Sequence, residues 1–242
     1  MEQLTSYADD RLVASCIYCG AGIETRDHCP SHILLDQPYP EYLPVVPSCA
    51  SCNRGFSLDE EYFACLVECV KAGSIEAVQR PKIRATLNHS PALAVRLTQA
   101  RSIDPNGTPS FDIEQDRVKN IVLKLARGHA AFELSELPYT EPSTIMFEPL
   151  HLLTTEARHH FETPPSVVLW PEVGSRAMQR ILIADNMAFG PGWIDVQPGQ
   201  YRYLTVTGKA ILIRFVVGEY LACEVIWDDE PDKGDGYPAI LD

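Results

Sequence analysis

The sequence lacks any long apolar run. No stretch of its 242 residues approaches the roughly 20 apolar residues that a helix needs to cross a bilayer. The N-terminus, MEQLTSYADD, has neither the basic nor the apolar region of a secretory signal peptide. We therefore expect a cytoplasmic protein with no membrane partner. Because the cytoplasm is reducing, the eight cysteines are expected to be metal ligands and buried thiols and not a disulfide framework.

Positive charge is also scarce. The net charge is −13, whereas proteins that bind phosphate backbones usually carry a basic surface. Only residues 71–127 are basic, with 10 Lys and Arg against 5 Asp and Glu. If a nucleic acid binds, we expect its backbone to be held there, with Lys124 and Arg127 of KLARGHAAF lining the groove. A solvated helix face would explain these two residues equally well.

Three segments of different composition follow one another along the chain and together predict an α+β protein. Residues 1–72 form an N-terminal module whose first part is rich in Cys, Pro and Gly, which favours loops and a hairpin. Residues 73–138 predict a helical, basic segment. Residues 139–242 predict an antiparallel β-rich domain, because β-branched and aromatic runs alternate there with Gly and Pro.

Helix ends and strands are predicted from local signals. The stretch SLDE is typical of a capping box, so a helix is expected to begin at Ser57 and to end at Gly73. Further helices are predicted within residues 74–88 and over residues 113–135, with a turn at 104–110. The pair Gly218-Glu219 predicts a tight hairpin turn. Strands are predicted at VVLW (167–170), RILIA (180–184), RYLTV (202–206), AILIRFVV (210–217) and YLACEVIW (220–227).

Two CxxC pairs predict a structural zinc site. Cys16 and Cys19 form CIYC, and Cys49 and Cys52 form CASC. Four thiolates can surround a tetrahedral Zn²⁺ at about 2.3 Å, and such a shell leaves no open position for catalysis. Four buried thiols with this spacing by coincidence are the alternative. The long spacer between the pairs implies a further structural element inside the loop that the zinc would close.

That element contains a short motif with a family resemblance. The order CIYCG, TRDH, LPVVPSCASCN resembles the HNH endonuclease superfamily in the form held together by zinc, over about residues 14–60. The resemblance implies a ββα-metal fold, a hairpin followed by a helix, that grips one catalytic Mg²⁺ or Mn²⁺ and hydrolyses DNA phosphodiester bonds. By position, His28 would be the general base, and Asp27 and Asn53 would hold the metal. These residue types suit proton abstraction and hard-cation binding, and the adjacent Arg54 could contact a phosphate.

One position departs from the family pattern. HNH proteins carry a middle Asn that orients the base, and it should fall near residues 42–44, where this chain has Tyr-Leu-Pro. Tyr42 is the expected occupant, and its hydroxyl would have to replace the amide contact to His28.

Two functions remain open on the sequence. The first is a metal-dependent HNH endonuclease, with His28, Asp27 and Asn53 in the roles above. The second is a non-catalytic module derived from the HNH core and held by zinc, which binds nucleic acid or a protein. In either case the C-terminal region is expected to recognise a substrate feature, a protein partner or a second copy of the chain.

Overall fold

A two-stranded hairpin and a long helix form the N-terminal part of the chain. The computed structural model describes residues 14–41, 43–103, 105, 107, 109–165 and 192–228. Strand β1 (Thr25–His28) pairs antiparallel with β2 (Val45–Ser48), so that His28 lies opposite Val45. Helix α1 (Ala50–Ala72) follows directly and ends at Gly73, whose φ of 78° gives the left-handed cap that was predicted.

The predicted start of α1 is wrong. The helix begins at Ala50, seven residues before Ser57, because the Cys49 sulfur accepts a hydrogen bond from the Cys52 N–H and caps the first turn. Ser57 therefore lies inside the helix, where its hydroxyl donates to the Asn53 carbonyl. The acidic residue of the expected box, Glu60, contacts Ser31 and Lys124 instead of a helix cap.

The middle segment is helical, with one small hairpin. Helix α2 (Pro81–His89) covers part of the predicted range and begins at a proline, which suits a first helical turn. Helix α3 (Pro91–Ala100) was not predicted. Helix α4 (Gln115–Leu134) agrees with the predicted range. Strands β3 (Arg101–Ile103) and β4 (Pro109–Phe111) pair on either side of the predicted turn.

The C-terminal region contains an antiparallel sheet of five described strands. The strands are β5 (Thr144–Pro149), β6 (Ile194–Gln197), β7 (Tyr201–Thr207), β8 (Ala210–Val217) and β9 (Leu221–Asp228), with helix α5 (Thr155–Glu162) after β5. Their order in the sheet is β5-β9-β8-β7-β6. The predicted runs RYLTV, AILIRFVV and YLACEVIW correspond to β7, β8 and β9, and the runs VVLW and RILIA lie outside the described residues.

The turn between β8 and β9 is of the predicted tight kind. Gly218 and Glu219 both have positive φ, at 64° and 48°, which matches the twist of the flanking strands. Together with the helices, this sheet confirms the mixed helical and antiparallel β class. None of the described helices is long and apolar enough to span a membrane.

Helix α4 joins the N-terminal part to the sheet. It contacts α1 and β2 as well as β7, β8 and β9. One apolar core includes Phe63 of α1, Leu125 of α4 and Phe215 of β8, each completely buried. The three segments distinguished by composition therefore share one core within the described residues.

A close approach fixes the position of α4 against the hairpin. A Cβ at Gly128 would lie 2.6 Å from the Cys29 Sγ and 3.1 Å from its Cβ, and Cys29 itself is buried. Both distances are below normal contact, so only glycine lets the helix lie this near to the end of β1.

We expect Gly128→Ala to lower the free energy of unfolding by about 1–3 kcal/mol, because the added methyl group overpacks the contact with Cys29. Gly55→Ala in α1 is the matched control, since a Cβ there meets nothing within 4 Å, and it should be neutral or stabilise by roughly 0.5–1 kcal/mol. Denaturant titration measures both. Equal effects of the two substitutions would contradict the close approach.

Candidate functional site

The two CxxC pairs meet at the open end of the β1-β2 hairpin. Their sulfurs all lie within 4.8 Å of one another, and the Cys19 and Cys49 sulfurs are 3.7 Å apart. Tetrahedral bonds of about 2.3 Å to zinc place two sulfurs at roughly this distance. We call Cys16, Cys19, Cys49 and Cys52 the cysteine cluster. It can hold a metal such as zinc, as the spacing predicted.

Backbone N–H groups favour the thiolate form of Cys16, whereas burial raises the pKa of Cys52. Burial raises the pKa of Cys16, but hydrogen bonds from the backbone of Cys49, Tyr18 and Cys19 outweigh it and lower that pKa to about 7. The Cys49 sulfur accepts a further bond from the Cys52 N–H, at 3.3 Å. Donors aimed at sulfur stabilise the deprotonated form that binds metal.

His28 lies at the end of β1 and is partly exposed. Its ring packs against His32 in a tilted arrangement with 4.0 Å between centroids, and His32 stacks on Tyr39 at 4.3 Å. The Tyr39 hydroxyl accepts a hydrogen bond from Lys82 of α2, at 2.7 Å. The His32 and Tyr39 rings, bonded to α2 through Lys82, thus hold the His28 imidazole in place.

The charge state of His28 suits a base. Burial is the largest influence and lowers the pKa of His28, the Asp27 carboxylate opposes this effect, and the Lys124 ammonium adds to it. The net result is a pKa below the usual 6.5, so the imidazole is mainly neutral at pH 7.

Asp27 does not fit the predicted role of metal ligand. The residue is buried, with 7% of its surface exposed. One carboxylate oxygen accepts from Lys124 Nζ at 3.1 Å, and the other accepts from the Tyr18 hydroxyl at 3.0 Å while lying 3.0 Å from the same Nζ. Both oxygens are therefore engaged by donors within the protein, one of them a cation that would repel a metal ion.

Asn53 lies in the first turns of α1 and docks that helix onto β1. Its amide nitrogen donates to the Thr25 hydroxyl at 3.1 Å and to the Arg26 carbonyl at 3.2 Å. Both amide hydrogens are used in this way, which leaves the amide oxygen as the atom with which Asn53 can bind a ligand. Of the two predicted ligands of Mg²⁺ or Mn²⁺, Asn53 therefore stays a prediction.

The residues predicted to contact nucleic acid differ in their exposure and partners. Contrary to both interpretations offered for it, a phosphate contact and a solvated helix face, the Lys124 side chain is only 2% exposed and is ion-paired. Arg127 donates to the carbonyls of Pro138, Tyr139 and Thr140, so it fixes the segment after α4. Arg54 is exposed on the surface of α1. Tyr42, the expected substitute for the middle Asn, lies outside the described residues.

The sequence analysis did not predict the partners of Lys124 or the ring contacts of His28. One signal was present: Lys124 comes three residues after Ile121 and one before Leu125, both completely or almost completely buried. A lysine on such a stripe is expected to find a buried acid. Nothing in the local sequence identifies that acid, because Asp27 and Glu60 lie 97 and 64 residues away along the chain.

We expect the purified protein to contain about one zinc per chain, and any one of the Cys→Ser substitutions in the cysteine cluster to remove it. Cys69→Ala is the control, because Cys69 is buried in the core beyond the cluster and should leave the zinc content unchanged. Elemental analysis of the folded proteins measures the ratio. A folded wild-type chain without zinc would refute the assignment.

Comparison of the chain with protein-family models, with curated proteins and with solved structures gave no match. The resemblance to HNH endonucleases therefore stays a prediction from the motif order.

Proposed function

We propose that this chain is an HNH-type endonuclease that hydrolyses phosphodiester bonds in nucleic acid, DNA being the expected substrate, with His28 as the general base. The proposal is supported above all by one observation. A partly exposed imidazole with a lowered pKa lies at the end of a hairpin that is fastened to the cysteine cluster and to helix α1.

The chemistry assigned to His28 is proton transfer from water. A neutral imidazole nitrogen accepts the proton as the water oxygen bonds to phosphorus and the bond from phosphorus to the leaving oxygen breaks. The contact with His32, which itself stacks on Tyr39, limits rotation of the ring and keeps the accepting nitrogen in one direction.

The predicted Mg²⁺ or Mn²⁺ would stabilise negative charge that develops on the phosphate. Because Asp27 is committed to Lys124 and Tyr18, the predicted ligand pair does not fit this ion. The role of His28 is therefore proposed without a step that passes through a metal.

Two exposed arginines lie on the two elements that Asn53 connects, and we propose them as contacts for a phosphate backbone. Arg26 precedes Asp27 on β1 and is exposed, and Arg54 is exposed on α1. Asn53 connects the two elements through its bond to the Arg26 carbonyl. Arginine forms paired hydrogen bonds with phosphate oxygens, which supports Arg54 as the remaining contact of the predicted set.

The buried pair of Asp27 and Lys124 favours a second function. An HNH-derived module whose acidic ligand is neutralised internally can bind nucleic acid or a protein without cleaving anything. Binding of DNA without hydrolysis by the wild-type chain would support this second function and contradict the first.

We expect His28→Ala to reduce cleavage of supercoiled plasmid by about 10²- to 10⁴-fold in buffer with Mg²⁺ or Mn²⁺, because the proton acceptor is lost. His159→Ala is the control, since His159 is exposed on α5, and it should cleave like the wild type. Rates are measured from the conversion of supercoiled to nicked or linear plasmid. Cleavage by His28→Ala at the wild-type rate would eliminate the proposed base.

We also expect Arg54→Ala to weaken DNA binding and to reduce the slope of log affinity against log salt by about 1, because one phosphate contact disappears. Arg158→Ala removes the same charge from an exposed position on α5 and is the control. Fluorescence anisotropy at several salt concentrations gives both slopes. An equal change in the two variants would show that only net charge matters.

A further inference from the structure

The ammonium group of Lys124 sits in a cage of oxygen atoms. Its Nζ lies 3.1 and 3.0 Å from the two oxygens of Asp27, 2.9 Å from the Ser31 hydroxyl, and in contact with a Glu60 carboxylate oxygen. The Ser31 hydroxyl in turn donates to Glu60. Strand β1, the loop after it, helix α1 and helix α4 all contribute to this one cluster.

The cage has the composition of a hard-cation site. Carboxylate and hydroxyl oxygens are the ligands that Mg²⁺, Mn²⁺ and Ca²⁺ prefer in proteins. Two carboxylates that face each other in a buried place require a positive charge between them. Here the charge is supplied by a side chain from α4, which is only 2% exposed, while the side chains of Asp27 and Glu60 are 9% and 17% exposed.

Several features retain the ammonium in this position. Burial opposes the charged form of Lys124, yet Asp27 and Glu60 outweigh it and raise the Lys124 pKa above its usual value. The Phe56 ring lies 5.5 Å from Nζ and adds a cation–π contact. The Tyr18 hydroxyl holds the second oxygen of Asp27. A divalent ion could bind Asp27 only by expelling the ammonium.

We propose that the Lys124 ammonium is the resident cation of the Asp27 and Glu60 site, and that its removal converts this site into one for a divalent metal ion. Asp27 then belongs to the internal framework that positions β1, and the residue next to it, His28, is left to face outward. This assignment rests on the geometry of the cage and holds whether or not the chain cleaves nucleic acid.

The test compares metal binding by zinc-containing wild type and by Lys124→Ala. Titration with Mn²⁺, followed by electron paramagnetic resonance, should show no Mn²⁺ site dependent on Asp27 in the wild type. Lys124→Ala should gain one, at least ~10-fold tighter than any Mn²⁺ binding that the wild type shows, because the competing charge is gone. The added substitution Asp27→Asn should remove the new site. Lys119→Ala, which removes an exposed lysine from the same helix, should gain nothing.

A folded Lys124→Ala that gains no Mn²⁺ site would overturn the proposal, as would a wild-type site that Asp27→Asn abolishes. If Lys124→Ala does not fold, the proposal is tested on the wild-type protein alone. The amine signal of Lys124, observed by ¹⁵N nuclear magnetic resonance, is expected to stay unchanged in excess Mg²⁺, and its displacement would overturn the proposal. Loss of plasmid cleavage, by contrast, would bear only on the proposed function.

Discussion

The buried contact of Lys124 with Asp27 and Glu60 determines how the N-terminal part of the protein is arranged. Charges are expensive to bury and are tolerated when each has a partner with good geometry. Here the partners come from β1, α1 and α4, so the three elements must meet at one point. Successive side chains in a strand point to opposite faces. Because Asp27 is held inside, its neighbour His28 faces the other way and stays partly exposed.

A second constraint acts at the other end of the hairpin. The cysteine cluster lies where the segment before β1 meets the start of α1, and the Cys49 sulfur caps that helix. Between the two constraints, Asn53 bonds to β1, and Gly128 lets α4 approach Cys29. The hairpin is thus fixed along its length by the cysteine cluster, an amide and an ion pair. The role proposed for His28, that of a general base, needs a rigid support of this kind, since small displacements reduce the efficiency of proton transfer.

Local sequence signals anticipated the parts of the fold that local physics decides. The CxxC spacing brought the sulfurs together, Gly73 ended α1 in the left-handed conformation, and Gly218 and Glu219 formed the turn between β8 and β9. The start of α1 was misplaced because a cysteine sulfur served as the cap in place of Ser57. The capping sequence at Ser57 was present, but the helix had already begun at the cap that Cys49 of the cysteine cluster provides.

Distant residues engage some of the side chains to which motif position assigned a role. The resemblance predicted Asp27 as a metal ligand, but Lys124, 97 residues further along the chain, reaches it through the packing of α4. The same packing removed Lys124 from the predicted phosphate contacts. The described ring contacts of His28 are local, since His32 and Tyr39 lie close by in the sequence, and they leave the imidazole partly exposed. Motif order thus indicates candidate residues, and tertiary contacts decide which remain available for chemistry.

The most direct test of whether Lys124 or a metal ion occupies the site beside Asp27 is anomalous diffraction from a crystal soaked in Mn²⁺. The data are recorded on both sides of the manganese and zinc absorption edges. We expect a zinc peak at the cysteine cluster and no manganese peak near Asp27, with Lys124 still between Asp27 and Glu60. A manganese peak bound to Asp27 and Asn53, with the Lys124 side chain turned away, would contradict the account.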